Sequence, residues 1–498
     1  MRRRLVRRIP VRVRQYWKLL AVCAAFLAVL TLVFGTDRVR PFVTSPGTGT
    51  GDAVTVNITG GRDLFDATVA HTIRLTFRDA DYQRMLDAYF KEGEKDYLEA
   101  DLTVDGVTVP SVGIRLKGNS TLAGLTRNGQ ARQDGFRPGG GLGGPVQGMP
   151  VPAPGQGAAG QGAAGQGAPG AFPGGGRVGG FGGFGRTALK AEQPETLPWL
   201  ISFDTFVDGR RFQGHKEIAV RVAGMGGGSA VLNEALALDL LRSSGEVTSR
   251  YAYSSFTVNG RPTTARLLVE HPDRHFAEQF DRPGVLYKAL STSQFTDQGD
   301  DPVDYQDDFK QVTGKGTWDL QPVIELIRWV DTAGDAEFDR RLAEHVDVAS
   351  FARYVALQNL LLNFDDMAGP GRNYYLWLDA GTGRFSVVAW DHNLTFSGSA
   401  DQGPYDGGRM GGRMGGHRLK ERALASPAFK VVYEQAYRDL YRRVYAGARA
   451  LSTLDAITKV LGTVVGNDPA ATSTDAERLR TLLVDRTASL ATDPVITG

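Results

Sequence analysis

The chain has 498 residues, with 57 Lys and Arg against 55 Asp and Glu, a formal net charge of +2 and a single cysteine. That length leaves room for two or three domains around a large core. The even charge balance argues against a nucleic-acid-binding surface, and one cysteine excludes a disulfide framework.

Charge is concentrated at the start. Residues 1–18, MRRRLVRRIPVRVRQYWK, hold seven Arg and one Lys with no acid, and the apolar run that follows to Gly35 is interrupted only by Thr31. Its apolar stretch is a little short of the ~20 residues that span a bilayer, but tilt and snorkelling arginines accommodate the difference. The pattern predicts a transmembrane signal anchor over 19–35, its basic leader in the cytoplasm and the bulk of the chain outside the cell membrane, crossed once. A cleaved signal peptide is the alternative, but Val33-Phe-Gly-Thr-Asp37 is a poor cleavage site. Residues 36–69, rich in Gly, Thr, Pro and Ser, read as a spacer.

Ordered structure is expected from about residue 70. Thr72–Phe77 alternates as a strand, Asp79–Glu92 has helical spacing with an Asp cap, and Tyr97–Val109 reads as a hairpin turned by Asp105-Gly106. From 129 to 186 the chain is dominated by Gly, Pro, Ala and Gln, with the near repeat GQGAAGQGAAGQGAPG, and cannot bury enough apolar surface to order itself. It reads as a long disordered Gly-rich insertion. Strands and one helix, Ala230–Ser243, then continue to Ala289, giving an N-terminal lobe over 70–289 on a mostly antiparallel sheet. Residues 290–498 read as a helical C-terminal lobe, with helices over Gln321–Asp331, Phe338–Glu344, Val348–Leu362, Ala428–Ala446, Thr453–Leu461 and Thr474–Ala488. The fold class expected is α+β.

The segment 357–397 carries the chemistry. A helix suited to burial runs into Asn363-Phe-Asp-Asp366, and two strand-like runs then carry Asn373 and Asp391 back towards it. Phosphoryl transfer needs a carboxylate to orient the acceptor hydroxyl and receive its proton, and hard oxygen ligands for the magnesium that neutralises the donor phosphates. Protein kinases order these groups as Asp, Asn, Asp, as Asp365, Asn373 and Asp391 are ordered here. The first gap is eight residues against about five in the usual kinase loop. Asp391 ends an apolar strand, where a carboxylate has no local structural use. Helix capping and turn closure are the competing readings for each residue alone.

In combination, NFDD, NYYLWLD and a Gly-Arg-Phe strand ending in Trp390-Asp391 resemble the CotH (spore coat protein H) kinase-like family of atypical protein kinases. Gly113–Ser120, Val258–Gly260 with Leu267–Asp273, and Gly284–Ala289 support the resemblance, which covers about 70–440. It implies a two-lobed, atypical protein-kinase-like fold using ATP with Mg2+ or Mn2+. Asp365 and Asp366 would be catalytic, Asp391, Asn373 and Asn393 would hold metal, and Lys117, Lys288, Glu234 and Glu270 would bind the nucleotide. Lys216 is a further candidate cation. Glu234 would pair with such a lysine, and Glu270 with Asp273 would form the hinge that binds adenine, mainly by backbone groups.

Two departures stand out. The family's Trp-Asp-x-Asp turn reads Trp390-Asp-His-Asn393 here, and the strand Leu197–Asp204 lacks the lysines the family carries there. The partners implied are ATP, the membrane, and an envelope protein or small-molecule acceptor, with no nucleic acid. A catalytically weak or inactive kinase-like binding module of the envelope is the alternative, favoured by both departures.

Overall fold

The computed structural model describes residues 53–118, 121–132, 188–223, 228, 231–406 and 416–498. The basic leader, the proposed anchor, the first half of the spacer (36–52), the core of the Gly-rich insertion (133–187) and the Gly-rich segment 407–415 lie outside the described residues. No helix among the described residues is long and apolar enough to cross a membrane.

The fold is mixed α/β. Seven strands close a barrel: β1 (Ala70–Phe77), β2 (Leu98–Val104), β3 (Val107–Leu116), β4 (Trp199–Ser202), β5 (Glu217–Val220), β6 (Tyr251–Val258) and β7 (Thr264–Glu270), in the order β5-β7-β6-β1-β2-β3-β4. Every pair is antiparallel except β6 with β1. The sheet expected from sequence is therefore closed on itself, which removes its exposed edges. Strict alternation in β1 sends Ile73, Leu75 and Phe77 inward and leaves Thr72, Arg74 and Thr76 exposed. The β2–β3 hairpin turns on Asp105 and Gly106, both with positive φ (48° and 88°), as a two-residue type I′ turn requires. In β6 and β7 almost every residue is buried, because their outer faces pack against a second core.

Helix α1 (Asp79–Glu92) packs Tyr82, Met85, Leu86 and Tyr89 into the barrel core. Its N-cap is Arg78, without a side-chain cap bond. Asp79 and Asp81 sit instead in the first turn, where their charge favours the helix dipole. Short strands Leu125–Arg127, Gln130–Ala131 and Leu189–Lys190 form one small sheet that brackets the insertion, so order persists slightly past Gly129.

Helix α2 (Asn233–Ser243) buries nearly all its residues in the second core. That core also holds a four-stranded sheet, ordered β9-β8-β10-β11, of β8 (Gly284–Ala289), β9 (Phe309–Gln311), β10 (Tyr374–Asp379) and β11 (Phe385–Ala389). Sequence placed Gly284–Ala289 in the N-terminal lobe; its hydrogen bonds to β9 and β10 put it in this second sheet. Helices α3 (Gln321–Thr332), α4 (Asp335–His345), α5 (Val348–Leu360), α6 (Arg418–Ala425), α7 (Pro427–Tyr441), α8 (Arg449–Leu461) and α9 (Pro469–Ala491) complete the layer. Arg442–Ala446 continues α7 as a π-helical turn.

Candidate active site

The site begins where α5 stops. The Asn363 amide donates to the Gln358 carbonyl (2.9 Å) and the Leu362 amide to the Asn359 carbonyl (3.0 Å), a Schellman closure with Leu362 left-handed at φ 51°. A left-handed non-glycine costs about 1–2 kcal/mol. Burying the Leu362 side chain, 2% exposed, returns about 1.5–3 kcal/mol. The helix therefore ends two residues earlier than its periodicity suggests, and the chain turns sharply into Asn363–Asp366.

Asp365 and Asp366 then part. The Asp365 carboxylate accepts from the Gly371 amide (2.6 Å) and from Asn373 Nδ2 (2.9 Å). Burial raises its pKa to about 6, the nearby Asp391 and Asp366 adding to the rise, while the bond from the Gly371 amide opposes it. Asp366 accepts from the Ala368 amide (2.8 Å) and pairs with Lys420 of α6. It does not line the cavity that Asp365 faces. The expectation of a catalytic Asp366 is corrected on this geometry: its carboxylate fastens the loop to α6. Gly369 and Gly371 let the loop close over Asp365, since a Cβ at Gly369 would stand 2.4 Å from the Asp365 Cα, and one at Gly371 would stand 2.6 Å from its Oδ2.

Asp391 arrives from β11 in a left-handed conformation, φ 57°. Its Oδ1 lies 3.0 Å from an Arg221 nitrogen, and that same nitrogen is 2.7 Å from Glu234 Oε1. Burial disfavours the Asp391 charge, but Arg221, Lys117 and Lys288 outweigh it and hold the carboxylate below its usual range. Burial pushes Glu234 up, against the pull of Arg221. Asn233 Nδ2 donates to the Asn393 carbonyl (2.6 Å), and Thr395 Oγ1 donates to the Asn233 carbonyl (3.3 Å). The start of α2 thus holds both the Asp391 turn and, through Glu234, Arg221. Sequence expected Glu234 to pair with a lysine; the partner is Arg221.

Asp365, Asn373, Asp391 and Asn393 converge on one cavity of about 420 Å³ with Lys95, Arg115, Lys117, Arg221 and Lys288. Lys117, Arg221 and Lys288 ring the indole of Trp390, at 5.3, 5.5 and 5.7 Å from its centre, a cation–π arrangement that eases their mutual repulsion. Burial lowers the Lys117 pKa to about 7, helped by Arg221, and the Lys288 pKa to about 8. Pro198 and Leu200 of the lysine-poor strand also line the cavity. The cations Lys117, Arg221 and Lys288 come instead from the ends of β3 and β5, which flank that strand, and from β8 of the second sheet.

The Glu270 side chain is engaged elsewhere. It accepts from the Arg250 amide (2.9 Å), lies 3.5 Å from His215, and lines neither this cavity nor the one beside it. An expected contact of its side chain with the nucleotide is corrected accordingly. Asp273 accepts from the Lys216 and Phe276 amides, capping the short helix Arg274–Ala277. Lys216 itself pairs with Asp204 (2.9 Å).

The donor set fits a divalent cation such as Mg2+. One carboxylate, Asp391, with the amide oxygens of Asn373 and Asn393, matches the sparse protein ligation of an ion that also takes substrate phosphates and water. Among the described residues no group of three or more His, Cys, Asp or Glu side chains could hold a metal. The fit therefore depends on amide oxygens.

The sequence model described as CotH kinase protein matches residues 189–486, about three-fifths of the chain. The chain belongs to the CotH family. A curated relative, the inner spore coat protein H of Bacillus subtilis (strain 168), is 23% identical over 198 residues, 39% of this chain and 53% of that protein. The chain therefore spans about half the length of the relative it matches. Among solved structures, the Helicobacter pylori proinflammatory kinase CtkA is similar over 60% of this chain and 93% of its own, at 12% identity and a TM-score of 0.29. The Golgi casein kinase is similar over 59% and 71%, at 9% identity and a TM-score of 0.26. At such scores neither likeness extends the argument.

Sequence reasoning missed Arg221, Arg115, Lys95 and the role of Trp390. Arg221 had a readable signal, being a cation directly after the apolar strand β5, the context that singled out Asp391 after β11.

Proposed function

We propose that this CotH-family protein is an atypical kinase that transfers a phosphoryl group from ATP to a hydroxyl of an envelope protein or of a small-molecule acceptor. The observation that carries the reading is the convergence of Asp365 and Asp391 on a cavity walled by Lys117, Arg221 and Lys288. In this role Lys117, Arg221 and Lys288 bind the donor phosphates and offset charge as the transferred group loosens from its leaving oxygen. Asp365, held by Gly371 and Asn373, orients the acceptor hydroxyl and takes its proton. A pKa of about 6 leaves it ionised near neutrality while keeping it a useful base. A magnesium or manganese ion, held by Asp391 with Asn373 and Asn393, would supply further charge neutralisation at the phosphates. The basic leader and apolar run support a single-pass membrane anchor with the catalytic body outside.

The second reading, a kinase-like binding module, draws on Asn393, whose neutral amide gives the metal one charge fewer than the family's Trp-Asp-x-Asp turn. Titration calorimetry with ATP, with and without Mg2+, addresses the nucleotide reading. Wild type should bind ATP more tightly with metal, and Asp391→Asn should lose that gain. ATP affinity indifferent to both metal and Asp391 would contradict the proposal.

A further inference from the structure

The catalytic cavity shares Arg115, His271, Lys288 and Leu290 with a second cavity of about 890 Å³, which also takes in Lys310 and Lys315. Its acids are engaged. Glu217 accepts from the Tyr97 hydroxyl (3.0 Å) and pairs with His271 (3.2 Å), while Asp273 accepts from two backbone amides. Of its cations, Arg211 and Lys216 pair with Asp204 (3.1 and 2.9 Å), but among the described residues none of Arg115, Lys288, Lys310 and Lys315 forms an ion pair with a carboxylate. Lys288 and Lys310 stand directly opposite one another in the antiparallel β8–β9 register. Like charges in that position destabilise a sheet. A cavity that gathers unneutralised cations at a cost to its own sheet is suited to a ligand carrying several negative charges. A purine base alone would call for an apolar slot with a few polar groups.

We propose that this second cavity is a phosphate subsite, so that the whole cleft takes a ligand whose phosphates extend beyond one triphosphate: a linear inorganic polyphosphate, or a nucleotide bearing an additional phosphate on its ribose. The proposal rests on the phosphotransferase reading of the first cavity and names the ligand class that spans both.

The test is calorimetry on the full chain with Mg2+, comparing tripolyphosphate with long-chain polyphosphate, and ADP with adenosine 3′,5′-bisphosphate. In the double variant Lys310→Ala/Lys315→Ala, the affinity for the extended ligand should fall about tenfold or more, with tripolyphosphate and ADP unchanged. A loss confined to polyphosphate identifies an extended chain, and a loss confined to the bisphosphate identifies the ribose phosphate. Equal losses for short and extended ligands, no loss, or the same loss in Arg340→Ala/Lys459→Ala, whose residues line neither cavity, would overturn the subsite. If the extended-ligand effect stands while Asp391→Asn leaves metal-dependent ATP binding intact, the subsite survives and the kinase reading fails.

Discussion

Replacing Gly371 by alanine tests whether the loop after Asp365 exists to place that carboxylate. The new Cβ would stand 2.6 Å from Asp365 Oδ2, 2.7 Å from Asn373 Nδ2 and 2.9 Å from Asp365 Oδ1. Ordinary contact needs about 3.5 Å or more, so the carboxylate must retreat by roughly 1 Å. That retreat disrupts the 2.6 Å bond from the Gly371 amide, a charge-assisted bond worth about 1.5–3 kcal/mol. A shift of that size at a proton-accepting group lowers turnover by about 100-fold, and the crowding costs about 1–3 kcal/mol of stability. Lys117, Arg221 and Lys288 are untouched, so ATP affinity without metal should stay within about twofold of wild type, while the gain from metal, which draws on the displaced Asn373, should shrink. Steady-state kinetics beside calorimetry separates the two effects, and Gly334→Ala, whose Cβ meets nothing within 4 Å, serves as the control. Wild-type turnover in Gly371→Ala would refute the placement of Asp365 as the base.

The pH profile of kcat/KM should be bell-shaped. It should rise through about 6 as Asp365 loses its proton, and fall above about 7 to 8 as Lys117 and Lys288 lose theirs and release the donor phosphates. A flat profile from about pH 5 to 9 would contradict both assignments. Nucleotide binding at about pH 8 should also take up protons, seen as a calorimetric heat that varies with the buffer's ionisation enthalpy, because bound phosphate raises both lysine pKa values. Asn393→Asp should tighten Mg2+ or Mn2+ binding, and an unchanged or weaker site would show that Asn393 does not ligate. A reporter fused at Gly498 that works only after export should be active, and cleavage of the 129–186 insertion by protease only after cell lysis would place the body in the cytoplasm.

Local pattern carried the elements whose environment is one-sided. The alternation of β1, the Asp105-Gly106 turn and the spacing of α1 are visible in the chain because one face meets the core and the other water. Barrel closure was not visible, since it depends on β4 pairing with both β3 and β5, a long-range choice across the insertion. Asp365, Asn373 and Asp391 were legible as a polar series set among apolar strands, and all three reach the cavity. Asp366 was not separable from Asp365 in sequence, because its Lys420 partner lies on α6, a helix that the periodicity did not reveal. Glu270 was assigned by position along the chain alone, and its side chain is buried beside His215 and the Arg250 amide, away from the cavity. Arg221 escaped because its importance comes from three-dimensional convergence on Glu234, Asp391 and Trp390, which its one local sign, a cation directly after β5, does not convey by itself.

The central claim is phosphoryl transfer assisted by Asp365, and transfer of label is its most direct measurement. The protein is incubated with ATP labelled at the γ-phosphate, Mg2+ or Mn2+, and extracted envelope proteins, beside Asp365→Asn. Label should pass to protein hydroxyls, or to a small molecule in the extract, with wild type, and should drop by several orders of magnitude in the variant while ATP binding persists. Equal label in wild type and Asp365→Asn, or none in either with ATP bound, would contradict the account.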